Sequence, residues 1–97
     1  MYARVARWEG GDGEAMRRAA EQINASDGPP EGVPGKAFML LIDPDKGQAL
    51  GIGLFETEED RRTGDEVLNS MDPPGEGLGR RASVEMYEVA AEVKAPA

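Results

Sequence analysis

Two segments of this chain repeat one another at an offset of 45 residues. Ile23-Asn24-Ala25-Ser26-Asp27-Gly28-Pro29-Pro30-Glu31-Gly32 returns as Leu68-Asn69-Ser70-Met71-Asp72-Pro73-Pro74-Gly75-Glu76-Gly77. The correspondence extends upstream, where Asp12, Glu14 and Arg17 fall opposite Thr57, Glu59 and Arg62, and downstream, where Lys36 falls opposite Arg81. An apolar helical segment stopped by Asp, Gly and Pro, used twice, implies that one supersecondary unit was built twice. That constrains architecture more than it constrains chemistry.

The segments around the repeat complete the pattern. Tyr2 to Glu9 alternates and reads as a strand, ended by Gly10-Gly11. Asp12 is a good N-cap residue for a helix whose buried face is Met16, Ala19, Ala20 and Ile23, and Asp27-Gly28-Pro29-Pro30 stops that helix near Ser26. Lys36 to Asp43 is a second strand, apolar at both parities through Phe38-Met39-Leu40-Leu41-Ile42, so both of its faces are expected to be covered. Asp43-Pro44-Asp45-Lys46-Gly47 is a turn, and Ala49 to Glu56 returns as the partner strand. Gly51 and Gly53 share one parity of that strand, which permits close approach by a helix, a ligand or another backbone. Thr57 starts a second helix with Glu58, Glu59 and Asp60 at its positive end and with Gly64, Val67, Leu68 and Met71 on its apolar face. Arg81 to Val93 is expected to form the last strand.

The order βαββαβ over residues 1–97 is that of a single ferredoxin-like α+β domain, a four-stranded antiparallel sheet with both helices on one face. One sheet face is then bare. A chain of 97 residues buries only about two thirds of its unfolded surface. A homodimer joined through sheet faces, a dimeric α+β barrel, accounts for the doubly apolar second strand.

Composition narrows the chemistry. There is neither cysteine nor histidine, which excludes disulfides, thiolate nucleophiles, histidine-based triads, the usual zinc sites and a histidine-ligated haem. A net charge of −8 argues against general nucleic-acid or anionic-membrane binding. The longest apolar run, Ala37 to Ile42, is too short to span a bilayer. No apolar segment follows Arg4 and Arg7 as a secretory signal would require, so a cytoplasmic location is expected. No metal and no cofactor is expected.

The junction Phe55-Glu56-Thr57-Glu58-Glu59-Asp60 resembles the aromatic-Glu-Ser/Thr-x-Glu strand–helix junction of the antibiotic-biosynthesis-monooxygenase-like proteins. The segment Ser83-Val84-Glu85-Met86-Tyr87-Glu88-Val89 resembles their last strand. The resemblance implies ferredoxin-like protomers paired into a dimeric α+β barrel. It leaves two functions open: a homodimer binding a small hydrophobic or aromatic ligand, or a cofactor-independent monooxygenase acting on an aromatic polyketide-like or quinol substrate. Haem-degrading members use an Asn, Trp and His constellation, which a chain without histidine does not match.

Candidate ligand-binding residues are Arg4, Trp8 and Tyr87. Tyr2, Arg4, Ala6 and Trp8 share one face of the first strand. If that face lines a cavity, Arg4 holds an anionic or phenolate oxygen while Trp8 stacks on an aromatic ring. If it does not, Arg4 is solvated or ion-paired and Trp8 fills core; alternation alone does not decide between the faces. The Tyr87 hydroxyl can hydrogen-bond a ligand or simply support cross-strand packing. Asn24 and Asn69, preserved by the repeat, read as duplicated helix ends that contact backbone. Asp43-x-Asp45-x-Gly47 lacks the spacing of a calcium loop, and Gly10-Gly11-Asp12-Gly13 lacks that of a phosphate loop.

Overall fold

The computed structural model describes residues 1–71 and 78–96. The second copy of the Asp-Pro-Pro-Gly turn, within residues 72–77, lies outside the described residues. The elements are β1 (Tyr2–Glu9), α1 (Gly13–Asn24), β2 (Ala37–Asp43), β3 (Gln48–Phe55), α2 (Glu58–Ser70) and β4 (Arg80–Glu88). The strands form one antiparallel sheet in the order β2-β3-β1-β4, the ferredoxin-like α+β arrangement expected from the order of elements. Among the described residues no helix is long and apolar enough to cross a membrane.

Register sorts the side chains into two faces. Arg4 pairs with Gly53 and Met86, Ala6 with Gly51 and Val84, and Trp8 with Ala49 and Arg81. This row faces the helices. Trp8, Ala6 and Ala49 are buried with Met16 and Ala19 of α1 and with Leu78, while Arg4 contacts α2. The glycines of β3 belong to the same row and make room for aromatic rings. A Cβ on Gly51 would lie 3.0 Å from the Trp8 ring, and one on Gly53 would lie 3.0 Å from Phe55. Phe55, fully buried, also packs on Gly64 of α2, where a Cβ would come within 2.5 Å of the ring. Thus the mid-helix glycine, which forgoes about 1 kcal/mol of helix propensity, lets α2 settle directly onto an aromatic ring.

The two helix starts diverge despite their equivalence in the repeat. Thr57 accepts the Asp60 N–H at 3.0 Å, while Asp12 takes the extended cap conformation without a side-chain hydrogen bond to the helix. The hairpin turn forms as expected, with Asp43 accepting the Lys46 N–H at 3.3 Å. Gly47 there has φ +67, and its α-carbon faces Gly11, whose carbonyl a Cβ would approach to 2.8 Å.

One expectation is corrected. The last strand ends at Glu88 rather than Val93, because β1 begins at Tyr2 and the final bond between the two segments runs from the Val89 N–H to the Met1 carbonyl. Within the protomer the second strand is covered on one side, and its other side belongs to the sheet face that the expected second copy would cover. Phe38, Leu40 and Ile42 are half-buried toward the helices, but Met39 and Leu41 are each 45% exposed.

Candidate functional site

The three residues singled out from sequence do not converge. Arg4 and Trp8 lie on the helix-covered face and Tyr87 on the opposite one, since Tyr87 pairs with Ala3. Arg4 is 4% exposed. Its Nε donates to Asp65 Oδ1 at 2.7 Å and its Nη2 to Asn69 Oδ1 at 3.0 Å. Arg81 Nη1 donates to the same Asn69 oxygen at 2.8 Å. Asp65 and Asn69, one helical turn apart on α2, therefore clamp β1 and β4 to the helix. Of the two placements left open by alternation, the structure shows the second: the Arg4 guanidinium is part of a buried ion pair and Trp8 is core. Its indole N–H finds no acceptor among the described residues.

The repeated asparagines also part company. Asn24 is the exposed last residue of α1. Asn69 lies inside α2, and its side chain receives two arginines rather than backing onto a turn. Every non-glycine residue described has negative φ, so neither asparagine takes the left-handed geometry common at helix ends. Spacing held the clue to the clamp: Asp65 and Asn69 are i and i+4 beside the apolar Gly64 and Leu68. A sequence pattern does not reveal which arginine they would meet.

The open face is the larger feature. Val5, Ile52 and Met39 form one cross-strand row, Ala3, Leu54 and Ala37 a second, and Arg7, Leu50 and Leu41 a third. Leu50, Ile52, Leu54 and Val5 are only half-buried. β4 adds Tyr87 and Glu85 to this face, Tyr87 being 52% exposed. The Tyr87 hydroxyl donates to Glu85 Oε2 at 2.5 Å, and Arg7 Nε lies 3.5 Å from Glu85 Oε1. The Tyr87 hydrogen bond, with Arg7 adding to it, holds the Glu85 carboxyl below its ordinary range. The same contact raises the phenol of Tyr87.

At one end of this face a cleft of about 210 Å³ opens over Leu41 and Leu50, rimmed by Arg7, Glu9, Asp43 and Gln48. It has an apolar floor and polar walls, the usual make-up of a small-molecule site, though it is smaller than most. No family model matches the chain, and neither a curated protein nor a solved structure matches it.

Proposed function

We propose that this protein is a homodimer in which two open sheet faces meet to form an α+β barrel, and that the barrel binds a small hydrophobic or aromatic ligand between the sheets. The observation that carries this reading is the apolar open face. It runs unbroken across β2, β3 and β1 through Met39, Leu41, Leu50, Ile52, Leu54 and Val5, on a chain that otherwise carries 19 acidic residues. At the β4 margin of that face the acid Glu85 is already paired with Arg7. That pairing neutralises the charge beside Val5 and Leu50, where two strongly acidic chains would meet.

Surface area points the same way. The chain exposes 6574 Å², whereas a compact monomer of its mass exposes about 5,400 Å². Both the segment after Glu88 and the open sheet face contribute exposed surface. The cleft over Leu41 and Leu50 opens onto the apposed face, so pairing the sheets encloses it.

The likeness to antibiotic-biosynthesis-monooxygenase-like proteins, a dimeric barrel and a cytoplasmic location belong to this same reading. Their oxygenase chemistry draws less support. It needs a cation free to stabilise a phenolate, and Arg4 is already committed to Asp65 and Asn69.

Titration with the neutral fluorescent probe N-phenyl-1-naphthylamine tests the binding reading. Saturable enhancement by the dimer, lost in Leu41→Lys, is the expected result. Absence of binding, or binding indifferent to Leu41→Lys, would overturn it.

A further inference from the structure

We infer that a second cavity, between the end of α1 and the start of β2, is a site for a small organic cation with an apolar body, an aryl-substituted ammonium. The cavity holds about 290 Å³, close to the lower bound of about 300 Å³ for small-molecule sites. Ile23, Pro29, Pro30 and Phe38 form its apolar lining, and Asp27 and Lys36 are its charged members. It lies at the other end of β2 from the cleft over Leu41 and Leu50, so it does not depend on how the open faces pair.

The residues that stop α1 also build the walls. Pro29 and Pro30 bring two rings with no N–H to satisfy, and Pro29 packs over Gly35, where a Cβ would lie 3.6 Å from its ring. Phe38 stands in the row of Gly53, whose Cβ would lie 3.7 Å from the Phe38 ring. Phe55, beside that glycine, is wholly buried, whereas Phe38 is only half-buried. The accessible part of an aromatic ring therefore faces a cavity walled by proline, and a ring face attracts a cation.

The surrounding charge selects the same sign. A helix C-terminus is the negative end of its dipole and favours a cation. The last turn of α1 holds no basic residue to supply one. Asp27, just beyond it, is in no ion pair among the described residues. Lys36 brings a positive charge, but its Nζ lies 3.6 Å from Glu56 Oε2, a carboxylate that does not line the cavity. An anion would meet Asp27 and the helix end, and a neutral ligand would gain apolar contact alone. A cation gains both: its ammonium sits by Asp27 and the Phe38 ring, with its body against Ile23 and the prolines.

Amide NMR titration of the full chain with benzyltrimethylammonium chloride tests this, with benzyl alcohol and benzoate as neutral and anionic counterparts. The cation should shift Ser26, Asp27, Gly28, Lys36 and Phe38 saturably. Benzyl alcohol should bind about fivefold more weakly, and benzoate should leave these amides unmoved. Asp27→Asn, at an exposed position, should weaken the cation about threefold without changing the response to benzyl alcohol. Phe38→Leu should weaken the cation more than the alcohol. Leu41→Lys, in the other cleft, should leave the titration unchanged. Absence of saturable shifts at these amides, equal affinity for the alcohol, or indifference to Asp27→Asn would overturn the site while leaving the dimer and its sheet cleft intact.

Discussion

Arg4 and Asp65, 61 positions apart in sequence, form an ion pair of 2.7 Å that fastens the second residue row of β1 to the middle of α2. Arg4 is almost wholly buried, whereas the Asp65 side chain keeps 24% of its exposure. The asymmetry decides what each deletion does. Removing Asp65 strands a buried cation, while removing Arg4 leaves a carboxylate that water can reach.

Asp65→Ala is accordingly expected to destabilise the fold by about 3 kcal/mol, the low end of the range for a broken buried pair. Arg4→Leu should cost less, and Arg4→Leu combined with Asp65→Leu should recover most of the loss. Urea unfolding at one fixed protein concentration gives the cycle. Additive single effects would mean that the pair is not coupled.

Gly64→Ala opposes two familiar effects. Helix propensity alone favours alanine by about 1 kcal/mol. The Phe55 ring lies 2.5 Å from where the new Cβ would stand, and overpacking of this kind costs about 1–3 kcal/mol. A lower melting temperature is expected. A higher one would show that Phe55 moves aside without cost.

The helix starts offer a matched pair. Thr57→Ala should lose about 1 kcal/mol, because it removes the acceptor for the Asp60 N–H. Asp12→Ala should change much less, because Asp12 makes no such bond. Equal losses in thermal unfolding would contradict the difference seen between the two caps.

Much of the fold was legible in the residues, since Gly, Pro and Asp at fixed places bound each element and the 45-residue repeat fixes their order. The faces were less so. Alternation put Arg4 with Trp8 and Gly51 with Gly53, but period-two spacing is symmetric and does not say which side meets the helices. The partner of Arg4 was hidden for another reason: Asp65 and Asn69 look like solvated helix residues until the crossover brings α2 over β1. The repeat itself misled at Asn69, where equal sequence did not produce equal contacts. The end of β4 was overread because Val89 to Val93 keep a strand pattern without a strand beside them in the same protomer.

Glu85 and Tyr87 make the open face sensitive to pH at both extremes. The depressed Glu85 contributes stability that is present above its unfolded pKa and is lost as pH falls through its lower folded value. The raised Tyr87 contributes stability that is present below its unfolded pKa and is lost as pH rises through its higher folded value. In Tyr87→Phe the Glu85 carboxyl should titrate closer to the ordinary glutamate range, as read from its side-chain carbonyl carbon by NMR. An unchanged titration would show that Arg7, not Tyr87, sets it.

The central claim is that the apolar face formed by Met39, Leu41, Leu50 and Ile52 belongs against its own copy. Sedimentation equilibrium at micromolar concentration measures this directly. The wild type should have twice the 10.4 kDa mass of the chain, and Leu41→Lys should return a folded protein of single mass. A wild type that sediments as a monomer, or a Leu41→Lys variant that remains a dimer, would contradict the account.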